Sequence, residues 1–145
     1  MGQQQLLLLV LATVIVGLAT VAGIQAFDQG QTRANQDALT TTAVKIASDI
    51  QARVKEPSQF GGYDGDLSEA EGNISLGELG YKTDGGTYKT AEGECTLGSP
   101  GPAAPSGLGS TTITVACSSD DNEVGAWVDG LDSGNITSAA KTLGS

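Results

Sequence analysis

The sequence predicts an α+β chain, one long N-terminal helix followed by a small strand-rich head, and three observations carry that expectation. Leu6 to Ile24 is an unbroken apolar run near the start of the chain. Residues 28–55 are polar but keep an apolar stripe at helical spacing. The remaining 90 residues are rich in Gly, Ser and Thr, alternate like strands, and hold both cysteines.

The apolar run comes first. Nineteen residues at ~1.5 Å each span about 28 Å, close to the hydrocarbon thickness of a bilayer. Leu, Val, Ile, Ala and Gly cover every face, with Thr13 and Thr20 the exceptions, so the helix requires lipid or other apolar helices all round. No charge precedes Asp28. Three readings compete. A secretory signal needs a basic n-region, yet the first Lys or Arg is Arg33. A plain single-pass anchor usually carries Lys or Arg at a flank, and none is there. The third reading is a mature chain whose basic leader has been removed.

The second element is amphipathic. Leu39, Ala43, Ile46, Ala47, Ile50 and Val54 fall within an arc of about 100°, the pattern of a helix lying on a small domain, with Val44 outside it. Asp49 and Arg53 are four apart in the favourable order, and Lys55 suits the negative end of the helix dipole. Pro57, followed by Gly61 and Gly62, supplies the stop, while Gly30 is a candidate bend. A helix over residues 2–55 would be roughly 80 Å long at ~1.5 Å per residue.

In the head, Thr111 to Ser118 alternates, with Ile113, Val115 and Cys117 on one face, and is the clearest strand. Gly86 to Leu97 and Val124 to Val128 are expected as strands beside it. Gly98 to Gly109 holds three prolines and reads as the loop between two strands. Phe60 to Gly80 is expected to be loop, with a helical turn near Leu67 to Glu71.

The first 55 residues, opening MGQQQLLLLVLATVIVGLATVAGI, resemble the mature N-terminus of type IV pilins in layout: a short polar stretch, then about twenty apolar residues. The resemblance implies cleavage by a prepilin peptidase and methylation of the Met1 amine. Most bacterial members carry Glu at the position of Gln5, where it neutralises the terminal amine of a neighbouring subunit; Gln5 can only accept a hydrogen bond from that amine. Archaeal and some divergent bacterial pilins also lack the Glu. Many members have Pro inside the apolar run, whereas here none precedes Pro57, which leaves Gly17 and Gly23 as the weak points of a more continuous helix. The resemblance further implies an antiparallel sheet packed on the striped half of the helix. Its domain plan is a membrane or filament-core helix over 1–27, an amphipathic helix over 28–57, and the head over 58–145.

The function implied is that of a structural subunit, inserted in the cytoplasmic membrane before assembly and polymerised outside the cell by the pilus machinery. Gln5, Leu6, Leu9, Val14, Gly17, Leu18, Val21 and Ile24 would form the subunit-assembly surface of a homo-oligomeric filament serving adhesion, motility or attachment. A pseudopilin of a type II secretion-like machine and a single-pass membrane-anchored binding module are the alternatives.

Cys95 and Cys117 flank the Pro-rich loop, and an even cysteine count in a chain exported from the cytoplasm favours a disulfide. A two-thiol metal site has no His and no third Cys to complete it. Residues 56–145 carry 14 acids against Lys82, Lys89 and Lys141, a net of −11, which argues against nucleic acid as the primary ligand. Two acidic clusters, Asp64 to Asn73 and Asp120 to Glu123, invite calcium, but the first lacks the Gly and the closing Glu of an EF-hand loop. Both read as solvated turns, and no metal or other cofactor is expected. Asn73-Ile-Ser75 and Asn135-Ile-Thr137 match the N-glycosylation pattern, with the unmodified state as default. With no His, no phosphate-binding Gly-rich loop and no nucleophile elbow, the chain is expected not to be an enzyme.

Overall fold

The computed structural model describes residues 2–98 and 101–143, and its first element, helix α1, spans Gly2–Lys55. Leu is the commonest residue of its first half, and neither half contains Pro, so no ring interrupts the backbone ladder. The helix ends where Pro57 approaches, with Arg53 and Lys55 in its last turn. The chain then doubles back to satisfy carbonyls left open by that ending. Gly65 N–H donates to the Val54 carbonyl (2.7 Å) and Asp64 N–H to that of Glu56 (3.0 Å). The return is tight enough that a Cβ on Gly62 would stand 2.1 Å from the Glu56 carbonyl oxygen.

The chain divides into two compact units, residues 1–34 and 35–145. In the first, the described residues 2–34 are all helix. The second comprises the rest of α1, the short helix α2 (Leu67–Ala70) and a six-stranded sheet: β1 (Thr83–Asp84), β2 (Thr87–Lys89), β3 (Glu94–Leu97), β4 (Ile113–Ser118), β5 (Asn122–Val128) and β6 (Ile136–Thr142). Every neighbouring pair is antiparallel and the spatial order follows the chain, so the sheet is a simple meander. The α+β class expected from the sequence is the class observed.

Packing explains why the stripe exists. Leu39, Ala43, Ile46, Ala47, Ile50 and Val54 are all 0% exposed, against one face of the sheet that supplies Ile113, Val115, Cys117, Val124, Ala126 and Val128. At roughly 1.5–3 kcal/mol for each fully buried large aliphatic side chain, this seam dominates the stability of the unit. Gln51 lies about 40° beyond the arc of the stripe yet is buried, its amide donating to the carbonyls of Gly130 (2.7 Å) and Asp132 (2.9 Å).

The opposite face of the sheet is covered by the Pro-rich loop. A Cβ on Gly101 would meet that of Ala116 at 3.2 Å, and one on Gly125 would strike the Trp127 ring at 2.5 Å and lie 3.2 Å from Pro102. Trp127, only 2% exposed, lies on this face, where the described loop residues 101–109 make no strand or helix.

Two expectations are corrected. Gly86 to Leu97 is a hairpin, β2 and β3, and not one strand. The Thr90 hydroxyl donates to the Gly93 carbonyl (2.9 Å) and accepts from Gly93 N–H (3.1 Å), closing a turn at Ala91-Glu92. Gly93 is required there because a Cβ would sit 2.3 Å from the Ser118 carbonyl oxygen. Residues 136–142, given no element in the sequence reading, form β6. Its Ser and Ala residues hide the alternation that a strand usually shows, and pairing with β5 imposes the conformation instead.

Candidate functional site: the exposed apolar helix

The expected assembly residues lie together along α1. Leu6, Leu9 and Leu18 are 66–68% exposed, and Val14, Val21 and Ile24 are 53–63% exposed. Gln5 is exposed immediately before them. Gly17 and Gly23 have open space where a Cβ would project. Met1 lies outside the described residues.

The polar groups inside the run are satisfied by the helix itself. Thr13 donates to the Val10 carbonyl (2.8 Å), and Thr20 to the carbonyls of Gly17 (2.8 Å) and Val16 (3.1 Å). A segment with its backbone bonds internal and its two hydroxyls back-bonded can enter an apolar medium without stranding a polar atom. Leaving it in water is the costly alternative. Twelve large aliphatic side chains between Leu6 and Ile24 are exposed, each at least half, at about 1 kcal/mol of unrealised burial apiece. That amounts to on the order of 10 kcal/mol, comparable with the stability of a whole domain. The helix is long and apolar enough to cross a membrane.

The head has a different chemistry. Cys95 and Cys117, directly opposed on β3 and β4, are joined as a disulfide at 0% exposure. In the first acidic cluster the carboxylates serve the backbone. Asp66 accepts from Ser68 N–H (2.9 Å) and Glu69 N–H (3.2 Å) as the cap of α2, and Asp64 accepts from Ser58 N–H (3.0 Å). The Ser68 side chain holds the Asp66 carboxyl below its ordinary pKa, and Ser58 does the same for Asp64. Asp120 and Asp121 lie in the β4–β5 turn and Asn122 and Glu123 open β5, with Ser119 N–H donating to the Asn122 carbonyl (2.8 Å). Among the described residues no three His, Cys, Asp or Glu side chains converge as a metal site. Asn73 is exposed and donates to the Glu69 carbonyl (2.7 Å), whereas Asn135 is half buried against Gly130.

Two polar groups of the head went unread in the sequence. Asn35 donates to the Glu92 carbonyl (3.1 Å) and accepts from the Ser119 hydroxyl (3.1 Å), tying α1 to two turns. The Tyr81 hydroxyl donates to the Asp49 carboxylate, with the Tyr88 ring 4.8 Å away and the Lys45 ammonium 5.9 Å from its ring centre. Burial, then the Asp49 bond, pushes the Tyr81 hydroxyl well above its ordinary pKa. Asn35, one turn before Leu39 and about 20° from the edge of the stripe, and Gln51, about 40° beyond its other edge, are polar residues flanking the apolar arc; Tyr81 carries no such signal.

No family model, curated protein or solved structure matches the chain. The long apolar N-terminal helix, the antiparallel sheet and the disulfide are together compatible with the layout of a pilin-like subunit.

Proposed function

We propose that this chain is the structural subunit of a type IV pilus-like extracellular filament, polymerised through Leu6 to Ile24. The observation that carries the reading is the uncovered apolar run, whose exposed side chains need an apolar partner on every face. Before assembly lipid of the cytoplasmic membrane fills that role. On assembly the same segment of neighbouring subunits replaces it, and close side-chain packing substitutes for lipid contact. A staggered, head-to-tail contact of this kind does not close on itself and generates an open helical polymer. The head forms the filament surface, where its net charge of −11 over residues 56–145 favours solubility. No catalytic role is assigned to it.

The test is to shear surface filaments from the native cell, image them, and take the intact mass of their protein. Filaments built of this chain support the proposal, and the same mass reports methylation of the terminal amine. A chain that stays with the membrane fraction, with no filament containing it, would instead favour the secretion pseudopilin or the membrane-anchored binding module.

A further inference from the structure

The sheet has two ends, and they differ. β1 is two residues long, too short to support a ladder, whereas β6 runs seven residues in unbroken one-to-one register with β5 and ends the strand order. Two bonds at the ends of the β5–β6 ladder fix which backbone groups of β6 are open. Leu143 N–H donates to the Asp121 carbonyl (2.8 Å), and Asp129 N–H donates to the Asn135 carbonyl (3.1 Å). Both pairs are odd-numbered, so the alternation of an antiparallel ladder turns Thr137, Ala139 and Lys141 toward β5. It turns the N–H and C=O groups of Ile136, Ser138, Ala140 and Thr142 to the free edge. Ser138, Ala140, Lys141 and Thr142 are exposed.

We infer that this edge pairs with the β6 edge of a second copy of the chain, antiparallel about a two-fold axis at Ala139. Charge selects the occupant. Residues 133–145 contain no acid and one base, Lys141, within a head carrying 14 acids and three bases over residues 56–145. A second head meeting this edge therefore faces a strand with no acid of its own, whose nearest paired acid, Glu123, stands opposite Lys141 on the inner neighbour β5. The register is self-complementary. Ile136 faces Thr142 and Ser138 faces Ala140 of the second copy, each pair with its open groups turned inward. Lys141 faces Thr137 rather than its own counterpart. The two Lys141 side chains then stand four residues apart along the strands, about 14 Å, beyond the ~8 Å screening length at physiological salt. β6 contains no Pro and its pairing shows no bulge, so Lys141 is its one guard against strand addition.

Such a contact uses the same patch on both partners and closes as a pair. It is therefore distinct from the helix-to-helix contact proposed for polymerisation and does not depend on it. Between two filaments it would act laterally, with many weak pairs adding through multivalency.

The head contains its own precedent for a test. Gly98 N–H donates to the Thr114 carbonyl (2.9 Å), which makes Cys95 and Cys117 a directly opposed pair of the non-hydrogen-bonded type, and they are cross-linked. The inferred axis puts Ala139 opposite its counterpart in the same kind of pair. Full-length Ala139→Cys protein in detergent micelles, mildly oxidised, should form disulfide dimers at least tenfold faster than a Ser106→Cys control on an exposed loop. Adding Ala140→Pro removes an outward N–H while leaving the β5 ladder intact, and should return the rate to control, with Trp127 fluorescence reporting that the head remains folded. Adding Leu9→Asp, which disables the helix contact, should leave the rate unchanged. Cross-linking of Ala139→Cys at the control rate, or at a rate insensitive to Ala140→Pro, would overturn the inference; loss on Leu9→Asp would assign the pairing to the helices instead.

Discussion

Residues 6–24 and 39–54 belong to one helix and meet opposite fates. Leu9 is 66% exposed and Ile46 is 0% exposed, though both are large aliphatic residues on a helical backbone. The difference lies in the angular distribution of their neighbours. Around Leu9 every position is apolar, so no single folded surface can cover the segment and its cover must come from several directions at once. Around Ile46 the apolar residues keep to one arc, and one face of one sheet is enough. The same element is thus a folding device at one end and, on our proposal, an assembly device at the other.

The sharpest way to break that comparison is to place a charge in the first region. Leu9→Asp should abolish filaments outright, because an ionised carboxylate has no partner in an apolar helical core. The melting temperature of the head should be unchanged, since the buried core lies within residues 39–128. Intact filaments in the variant, by electron microscopy of sheared material, would count strongly against the proposed function.

The complementary change belongs in the second region. Ile46→Ala removes a fully buried side chain from the seam and should cost the head roughly 2–5 kcal/mol, read by denaturant melting with Trp127 as reporter. Insertion of the apolar run into membranes should be unaffected. A head that melts unchanged would mean that the helix stripe is not its core.

The disulfide sharpens the contrast from the other side of the seam. Cys95 and Cys117 are 22 apart in sequence, and cross-linking a loop of that size contributes about 3 kcal/mol in the chain-entropy model. Cys117→Ser should therefore lower the head's stability by a comparable amount and reduce filament yield in proportion. Equal melting temperature and equal yield would remove the role assigned to the bond.

Legibility in the sequence follows how local the cause of each element is. α1 was readable to within a residue because its signals are local: an apolar run, a 3.6-residue stripe, and a Pro two residues past Lys55. β4 was readable from the alternation of Ile113, Val115 and Cys117. β6 was not, because Ser138, Ala139 and Ala140 have little preference of their own and become a strand only by pairing with Ala126, Gly125 and Val124. The packing of the loop on the sheet beside Trp127 was equally invisible. It depends on Pro102 and Gly101 meeting Gly125 and Ala116 across a loop that sequence alone marks only as irregular. The candidate assembly surface was legible for the same reason as the helix that carries it.

The smallest effect tests the acidic loop that follows α1. Asp66 and Asp64 accept hydrogen bonds in their ionised forms, first from the Ser68 and Ser58 side chains and then from backbone N–H groups, which lowers both pKa values from the ordinary 3.8. A carboxyl with a depressed folded-state pKa gives its full stabilisation above the unfolded value, and that contribution is lost as pH falls through the folded value. Between pH 7 and 5 these two groups should leave the melting temperature flat. Below about 3.8 they should contribute a fall, and Asp66→Asn, which keeps a capping oxygen but cannot titrate, should show a shallower one. The decrease should be confined to the head, because the segment from Leu6 to Ile24 contains no titratable side chain. Acid should therefore loosen the head while the apolar run stays inserted in lipid or in its filament core, separating the two regions by pH as Leu9→Asp and Ile46→Ala separate them by substitution.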